Sequence, residues 1–151
     1  MTDVVDSATR SRMMRGIRGK DTKPEVQLRK ALFANGFRYR LHAKDLPGKP
    51  DILLPRYHAV IFVNGCFWHG HDCHLFRLPA TRTKFWREKI EGNRRRDKAF
   101  QDQLLERGWR VLTVWECAMK GKTRLSFDGL LTRVCNWLPS SERELSIAGT
   151  K

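Results

Sequence analysis

Residues 66–74 read Cys-Phe-Trp-His-Gly-His-Asp-Cys-His and hold two of the chain's four cysteines and three of its five histidines. Thiolates and imidazoles this close together suit zinc, which takes four such ligands in a closed structural site. Cys66, His71 and Cys73 supply three of them locally. Cys117 follows the apolar run from Trp109 to Trp115 and can supply the fourth from another part of the chain. His69 and His74 compete for the same places, and the spacing is not that of the familiar paired-cysteine ribbons. Reduced thiols beside surface histidines would give the same composition without a metal. Cys135 falls in a helical pattern and reads as core.

A second kind of chemistry is written in oxygen. Asp51 follows Pro50 at the head of a short apolar run, and a neighbouring run ends at Val63-Asn64, close to the Cys/His cluster. The hard carboxylate of Asp51 suits magnesium, which keeps most of its waters and takes phosphate oxygens. Magnesium there would stabilise charge at a scissile phosphate and orient an attacking water. A Pro-Asp pair alone is an ordinary start of a turn or strand. If zinc takes Cys66, His71, Cys73 and Cys117, His69 is left free to position or deprotonate water near a phosphate. Phe67 and Trp68 are consecutive, so they cannot both point into one sheet core. They are expected on a loop pinned by metal.

The chain around these groups is basic. Its 30 lysines and arginines against 16 acids give a formal charge of +14 over 151 residues. That excess favours a polyanionic partner through phosphate contacts and counterion release. No segment approaches the apolar length of a membrane span, and no basic amphipathic helix with a continuous apolar face marks a membrane surface. The start, Met1-Thr2-Asp3-Val4-Val5-Asp6, has neither the basic beginning nor the apolar centre of a signal peptide, so a cytoplasmic chain is expected. Cysteines in that compartment serve as metal ligands or thiols more often than as disulfides.

The elements that must position these groups follow from periodicity. Residues 1–20 read as a basic arm with some helix, carrying Arg10, Arg12, Arg15 and Arg18 around Met13 and Met14. Thr22 and Glu25 have the spacing of a capping box, and the helix they open ends at Gly36. Short strands are expected over Phe37–Leu41, Asp51–Pro55 and Ala59–Val63, the last nearly all apolar and hence buried on both faces. A long helix spans Thr81 to Gly108, with a charged face at residues 94–98. A strand follows over Trp109–Trp115 and a last helix over Phe127–Leu138. The segment after Pro139 reads as a loose tail. The order predicts a single α/β domain over residues 21–138, a mixed sheet flanked by helices, with residues 139–151 flexible.

At this point the chain resembles the very short patch repair (Vsr) endonucleases of the PD-(D/E)XK nuclease superfamily. The likeness rests on Ala8-Thr9-Arg10-Ser11, Leu46-Pro47-Gly48 with Pro50-Asp51, and Gly65-Cys66-Phe67-Trp68-His69. It continues through Pro79-Ala80-Thr81-Arg82-Thr83, Phe85-Trp86, Gly108-Trp109-Arg110-Val111-Leu112 and Val114-Trp115-Glu116-Cys117-Ala118. The resemblance implies a restriction-endonuclease-like fold and a bacterial, cytoplasmic enzyme acting on the nucleoid. The implied reaction is a magnesium-dependent nick in the thymine strand of double-stranded DNA, 5′ to the thymine of a T·G mismatch left by deaminated 5-methylcytosine. It makes Asp51 the magnesium-binding carboxylate, with the Val63 backbone carbonyl beside it. It makes His69 the catalytic histidine and places Glu25 beside the active site. Its zinc ligands fall on Cys66, His71, Cys73 and Cys117. Phe67, Trp68 and Trp86 become DNA-wedging aromatics, with Met14 approaching from the arm and Arg10, Arg12 and Arg15 also on DNA. A monomer is expected, with mismatch-repair proteins as candidate partners.

One departure bears on mechanism. Better-known members carry Thr-His where this chain has Val63-Asn64. A backbone carbonyl at position 63 survives the change. Asn64 cannot transfer protons as histidine does, which leaves that work to His69. Two other functions remain in competition: a zinc-stabilised binder of mismatched or bent DNA that recruits repair factors without cutting, and an endonuclease for undamaged duplex.

Overall fold

The computed structural model describes residues 21–150, so the expected arm, with Met14, Arg10, Arg12 and Arg15, lies outside the described residues. The elements in order are α1 (Lys23–Ala34), β1 (Arg40–Leu41), β2 (Ile52–Leu54), β3 (Ala59–Asn64), α2 (Thr83–Glu106), β4 (Arg110–Trp115), α3 (Phe127–Trp137) and β5 (Glu144–Ile147). Single 3-10 turns occupy Pro55–Tyr57 and Glu116–Ala118. The five strands form one sheet in the order β1-β2-β3-β4-β5. The β1, β2 and β3 pairs are antiparallel; β4 runs parallel to β3 and β5 parallel to β4. This is the mixed α/β sheet expected, with α2 as the crossover that returns the chain for a parallel partner.

Helices α1 and α2 end in the same way. Gly36 and Gly108 adopt φ of +89° and +86°. Their amides and those of Phe37 and Trp109 then bond back to carbonyls of the last turn, from Phe33 and Leu32 and from Leu105 and Leu104. This is the Schellman arrangement, which needs a left-handed residue and so selects glycine. The start of α1 departs from the expected capping box. The Thr22 side chain makes no cap hydrogen bond. Glu25 accepts from the Asp21 amide at 3.2 Å and from Arg29 Nη1 at 2.7 Å, while being 1% exposed. A buried carboxylate must be paired, and the arginine one turn on outcompetes the cap.

Two of the expected elements change. The first strand shrinks from five residues to Arg40–Leu41, because three-residue β2 offers ladder partners only through Leu53 and Ile52. The segment after Pro139, expected to be loose and flexible, carries β5, with Ile147 fully buried and its strand paired to Val111–Val114. β4 would otherwise be an exposed apolar edge, and β5 covers it.

Period-two alternation divides the core between the two sheet faces. Ile52, Leu54, Ala59, Ile61, Leu112 and Val114 face α1 and α3 and pack with Leu28, Leu32, Leu130 and Val134. Leu53, Val60, Phe62 and Val111 face α2 and pack with Leu104, Leu105 and Trp109. The same alternation puts Asp51, Asn64 and Trp115 on the α2 face, at the strand ends. Among the described residues no helix is long and apolar enough to cross a membrane.

Candidate metal centre and catalytic cleft

β3 ends at Asn64, and Gly65 begins a tight loop in which the His69 amide bonds to the Gly65 carbonyl and the His71 amide to the Cys66 carbonyl at 2.9 Å. The loop folds back on itself and aims Cys66 and His71 at one point. β4 runs parallel to β3 with Asn64 opposite Trp115, so the 3-10 turn after β4 delivers Cys117 to the same point. Ligand atoms of Cys66, His71, Cys73 and Cys117 all lie within 4.8 Å of one another. His71 Nδ1 is 3.5 Å from Cys66 Sγ and 3.6 Å from Cys117 Sγ. Tetrahedral zinc with Zn–S of about 2.3 Å and Zn–N of about 2.0 Å sets sulfur and nitrogen about 3.5 Å apart. The donor set and its spacing therefore fit that metal.

Burial is the main force on the protonation of Cys66, Cys117 and His71. It pushes the Cys66 and Cys117 thiols up and pulls the His71 imidazole down. Burial thus favours the neutral thiols of Cys66 and Cys117 and the neutral, ligating imidazole of His71; a bound cation would take the place of thiol protons. Surrounding groups orient the ligands. The His71 ring stacks on Trp115 at 4.2 Å. The Cys117 amide points at Cys66 Sγ and the Gly149 amide at Cys117 Sγ, each at 3.3 Å. The C-terminal segment read as loose thus closes over the metal centre. His74, a competitor for ligand in the sequence, sits outside the group with Nδ1 3.4 Å from Thr123 Oγ1.

His69, the other competitor, is also outside. Its Nδ1 lies 2.5 Å from Asp97 Oδ2 on α2. A carboxylate there accepts an Nδ1 proton, which in the neutral ring places the lone pair on Nε2. His69, Asn64 and Asp51 line a cleft of about 1030 Å³ between the sheet ends and α2. Asp51 is pushed up to about 6, chiefly by burial, with the Val63 amide at 2.7 Å on Oδ2 holding it back. The nearby Glu25 carboxylate raises it further. A carboxyl so placed is poised for a cation that would relieve its desolvation. Glu25 itself is committed to Arg29, with His42 Nε2 3.6 Å away and the His42 amide bonded to the Asp51 carbonyl. Six basic side chains, Lys23, Lys44, Lys49, Lys89, Arg96 and Lys120, line the same cleft.

The expected wedge residues come together. Phe67 lies 5.3 Å from Trp68 and 5.5 Å from Trp86 by ring centroids, and the two tryptophans are 5.8 Å apart. Phe76 backs Phe67 at 6.1 Å, and half-exposed Phe85 continues the array beside Trp86. Asn93 Nδ2 donates to the Trp68 carbonyl at 2.9 Å. Asn93 and Asp97, four residues apart on α2, thus hold Trp68 and His69, which are adjacent in the loop. Sequence reasoning placed Asp97 on a solvated charged face and passed over Asn93, Glu116 and Trp115. The i,i+4 spacing of Asn93 and Asp97 was the available signal. Glu116 accepts the Cys66 amide at 3.1 Å.

Comparison with known proteins adds independent findings. The profile of the family described as DNA mismatch endonuclease Vsr matches residues 2–75. The chain is 48% identical over 138 residues to DNA mismatch endonuclease Vsr of Escherichia coli K12, covering 91% of this chain and 88% of that protein. It is 48% identical over 122 residues to the type II nicking enzyme V.NmeAIP of Neisseria meningitidis serogroup A, covering 81% and 87% of the two. It is 47% identical over 119 residues to the type II nicking enzyme V.XorIIP of Xanthomonas oryzae pv. oryzae, covering 79% and 88%.

Proposed function

This chain belongs to the Vsr family of DNA mismatch endonucleases, and from that premise we propose that it nicks the thymine strand of duplex DNA 5′ to the thymine of a T·G mismatch, by magnesium-dependent hydrolysis. The observation that carries the reading is the convergence of Asp51 and the His69–Asp97 pair in one basic cleft beside the aromatic array. The mixed sheet with Asp51 at a strand head is compatible with a restriction-endonuclease-like fold.

Phe67, Trp68 and Trp86 enter the base stack at the mismatch. A T·G wobble pair stacks less well than a Watson–Crick pair, so unstacking it costs less, and part of the discrimination comes from that deformability. The lysines of the cleft take the phosphates and set the register. His69 Nε2 accepts a proton from the attacking water. The Asp97 carboxylate steadies the imidazolium that results and holds the ring in the tautomer that leaves Nε2 free. Asp51, with the Val63 carbonyl, would hold magnesium, which supplies a Lewis acid at the scissile phosphate. Cys66, His71, Cys73 and Cys117 would hold zinc, which would fix the loop that carries Phe67, Trp68 and His69.

The test is a nicking assay on T·G-mismatched and matched duplexes, with and without magnesium. Magnesium-dependent nicking of the mismatched thymine strand alone supports the proposal. Binding without cleavage makes the chain a recruiting module, a reading that the replacement of histidine by Asn64 keeps in play. Cutting of matched duplex makes it an endonuclease of undamaged DNA.

A further inference from the structure

Asn64 is the last residue of β3 and is only 8% exposed. Alternation along β3 puts it on the α2 face with Val60 and Phe62. Asp51 is on that face too, one residue before Ile52. The antiparallel register pairs Ile52 with Ile61, so the next pair is Asp51 with Phe62, and Asn64 is the diagonal neighbour of Asp51. Such neighbours are within reach of one small ligand held between their side chains.

The polar groups around Asn64 are already paired with one another. Asp51 Oδ2 takes the Val63 amide, Asp97 takes His69, Asn93 holds the Trp68 carbonyl and Glu116 takes the Cys66 amide. Among the described residues the Asn64 carboxamide makes no hydrogen bond. Among the described residues, the sealed side-chain group without a partner is the Trp137 indole nitrogen and not the Asn64 carboxamide. Asn64 is one of the residues that line the cleft.

The composition of the cleft decides what that carboxamide is for. Phosphate oxygens have abundant donors in the six basic side chains. Carboxylates left for a cation beside Asp51 are scarce. Asp97 is engaged by His69, and Glu116 by the Cys66 amide with Lys120 3.9 Å from its other oxygen. Val63 has no side-chain oxygen. Magnesium requires six oxygens at about 2.0–2.1 Å, and the carboxamide oxygen of Asn64, unpaired among the described residues, is a hard donor on the same face as Asp51. We propose that Asn64 Oδ1 is a second side-chain ligand of the catalytic cation beside Asp51, an inference that rests on the metal-dependent reading above. Where family members carry histidine, this chain then presents an oxygen donor in place of a proton-transfer group.

The experiment uses the DNA-free, zinc-loaded protein titrated with Mn²⁺, free Mn²⁺ being followed by electron paramagnetic resonance and Mg²⁺ scored by competition. Asn64→Ala is expected to weaken Mn²⁺ binding by about tenfold, in line with losses seen when groups around a metal are removed. Asp51→Ala is expected to abolish it. In Asn64→His, electron spin echo modulation should show a directly coordinated nitrogen that wild type lacks, with affinity shifted from Mg²⁺ toward Mn²⁺. Zinc content and circular dichroism identify correctly folded variants, and Asn64→His decides the matter if Asn64→Ala does not fold. Unchanged Mn²⁺ affinity in Asn64→Ala, or no coordinated nitrogen in Asn64→His, overturns the role of Asn64 while loss of binding in Asp51→Ala leaves the metal reading standing. Wild-type affinity in Asp51→Ala overturns both.

Discussion

Replacing Asp97 with asparagine tests whether the His69–Asp97 pair does the proton transfer. His69 Nδ1 and Asp97 Oδ2 are 2.5 Å apart, and the two side chains are 28% and 29% exposed. When His69 takes a proton from water, an imidazolium forms with its charge centred about 4 Å from that of the carboxylate. At an effective dielectric near 20 their attraction is about 4 kcal/mol. Partial exposure screens it, leaving about 2–3 kcal/mol, or about 30- to 150-fold in rate. Asparagine keeps the shape and loses the charge. It can also turn its amide NH₂ toward Nδ1, which puts the proton on Nε2 and disables the base. The assay is single-turnover nicking of an end-labelled T·G duplex at saturating enzyme and magnesium, with binding measured separately by fluorescence anisotropy. Asp97→Asn should lower the chemical rate by about 30-fold or more and leave mismatch affinity and zinc content unchanged. Because the two residues act as a unit, the His69→Ala, Asp97→Asn double variant should be no slower than His69→Ala. A rate within threefold of wild type would refute the reasoning, as would a full Asp97→Asn effect on the His69→Ala background.

The metal centre predicts one zinc per purified chain, with Cys73→Ala or Cys117→Ala unfolding or precipitating the protein; metal analysis and thermal melts check this, and zinc-free protein of normal stability would contradict it. Asp51→Ala should abolish nicking and leave T·G binding largely intact, as read by gel nicking and anisotropy; near wild-type nicking would remove Asp51 from the mechanism. Trp68→Ala should weaken binding to mismatched duplex by about 1–3 kcal/mol and to matched duplex by less, with zinc retained; equal loss on both would mean general contact or packing. Gly149→Ala would place a Cβ 2.4 Å from the Cys117 carbonyl oxygen and 2.5 Å from that of Thr123. Two backbone atoms cannot yield as a side chain tip does, so a loss of about 1–3 kcal/mol in stability and faster zinc release to a chelator are expected; an unchanged melting temperature and release rate would show that the C-terminal segment does not clamp the metal loop.

Local physics made much of this protein legible before any coordinates. Periods of 3.6 and 2 mark α1, α2, α3 and the central strands, because each reports which side of one element is apolar. Gly36 and Gly108 mark helix ends, because the left-handed turn they make involves only neighbours. The soft ligands within residues 66–74 mark a candidate metal site, and the charge of +14 points to a polyanion, because both are properties of composition and short spacing. What residues 21–150 decide in three dimensions is non-local. Cys117 reaches Cys66 across 51 positions only because β4 lies parallel to β3. Asp97 meets His69 across 28 positions because α2 crosses the end of the sheet; its i,i+4 spacing with Asn93 marks a shared helix face, not the partner that face meets. Glu25 has the spacing of a cap, yet burial hands it to Arg29. Glu144–Ile147 is too short and too polar to read as a strand, and becomes one because β4 leaves an open edge beside it. The sequence by itself determined which chemistries were available; the tertiary structure decided which groups share a site, since that depends on how separate elements are stacked and registered and not on any property of the chain nearby.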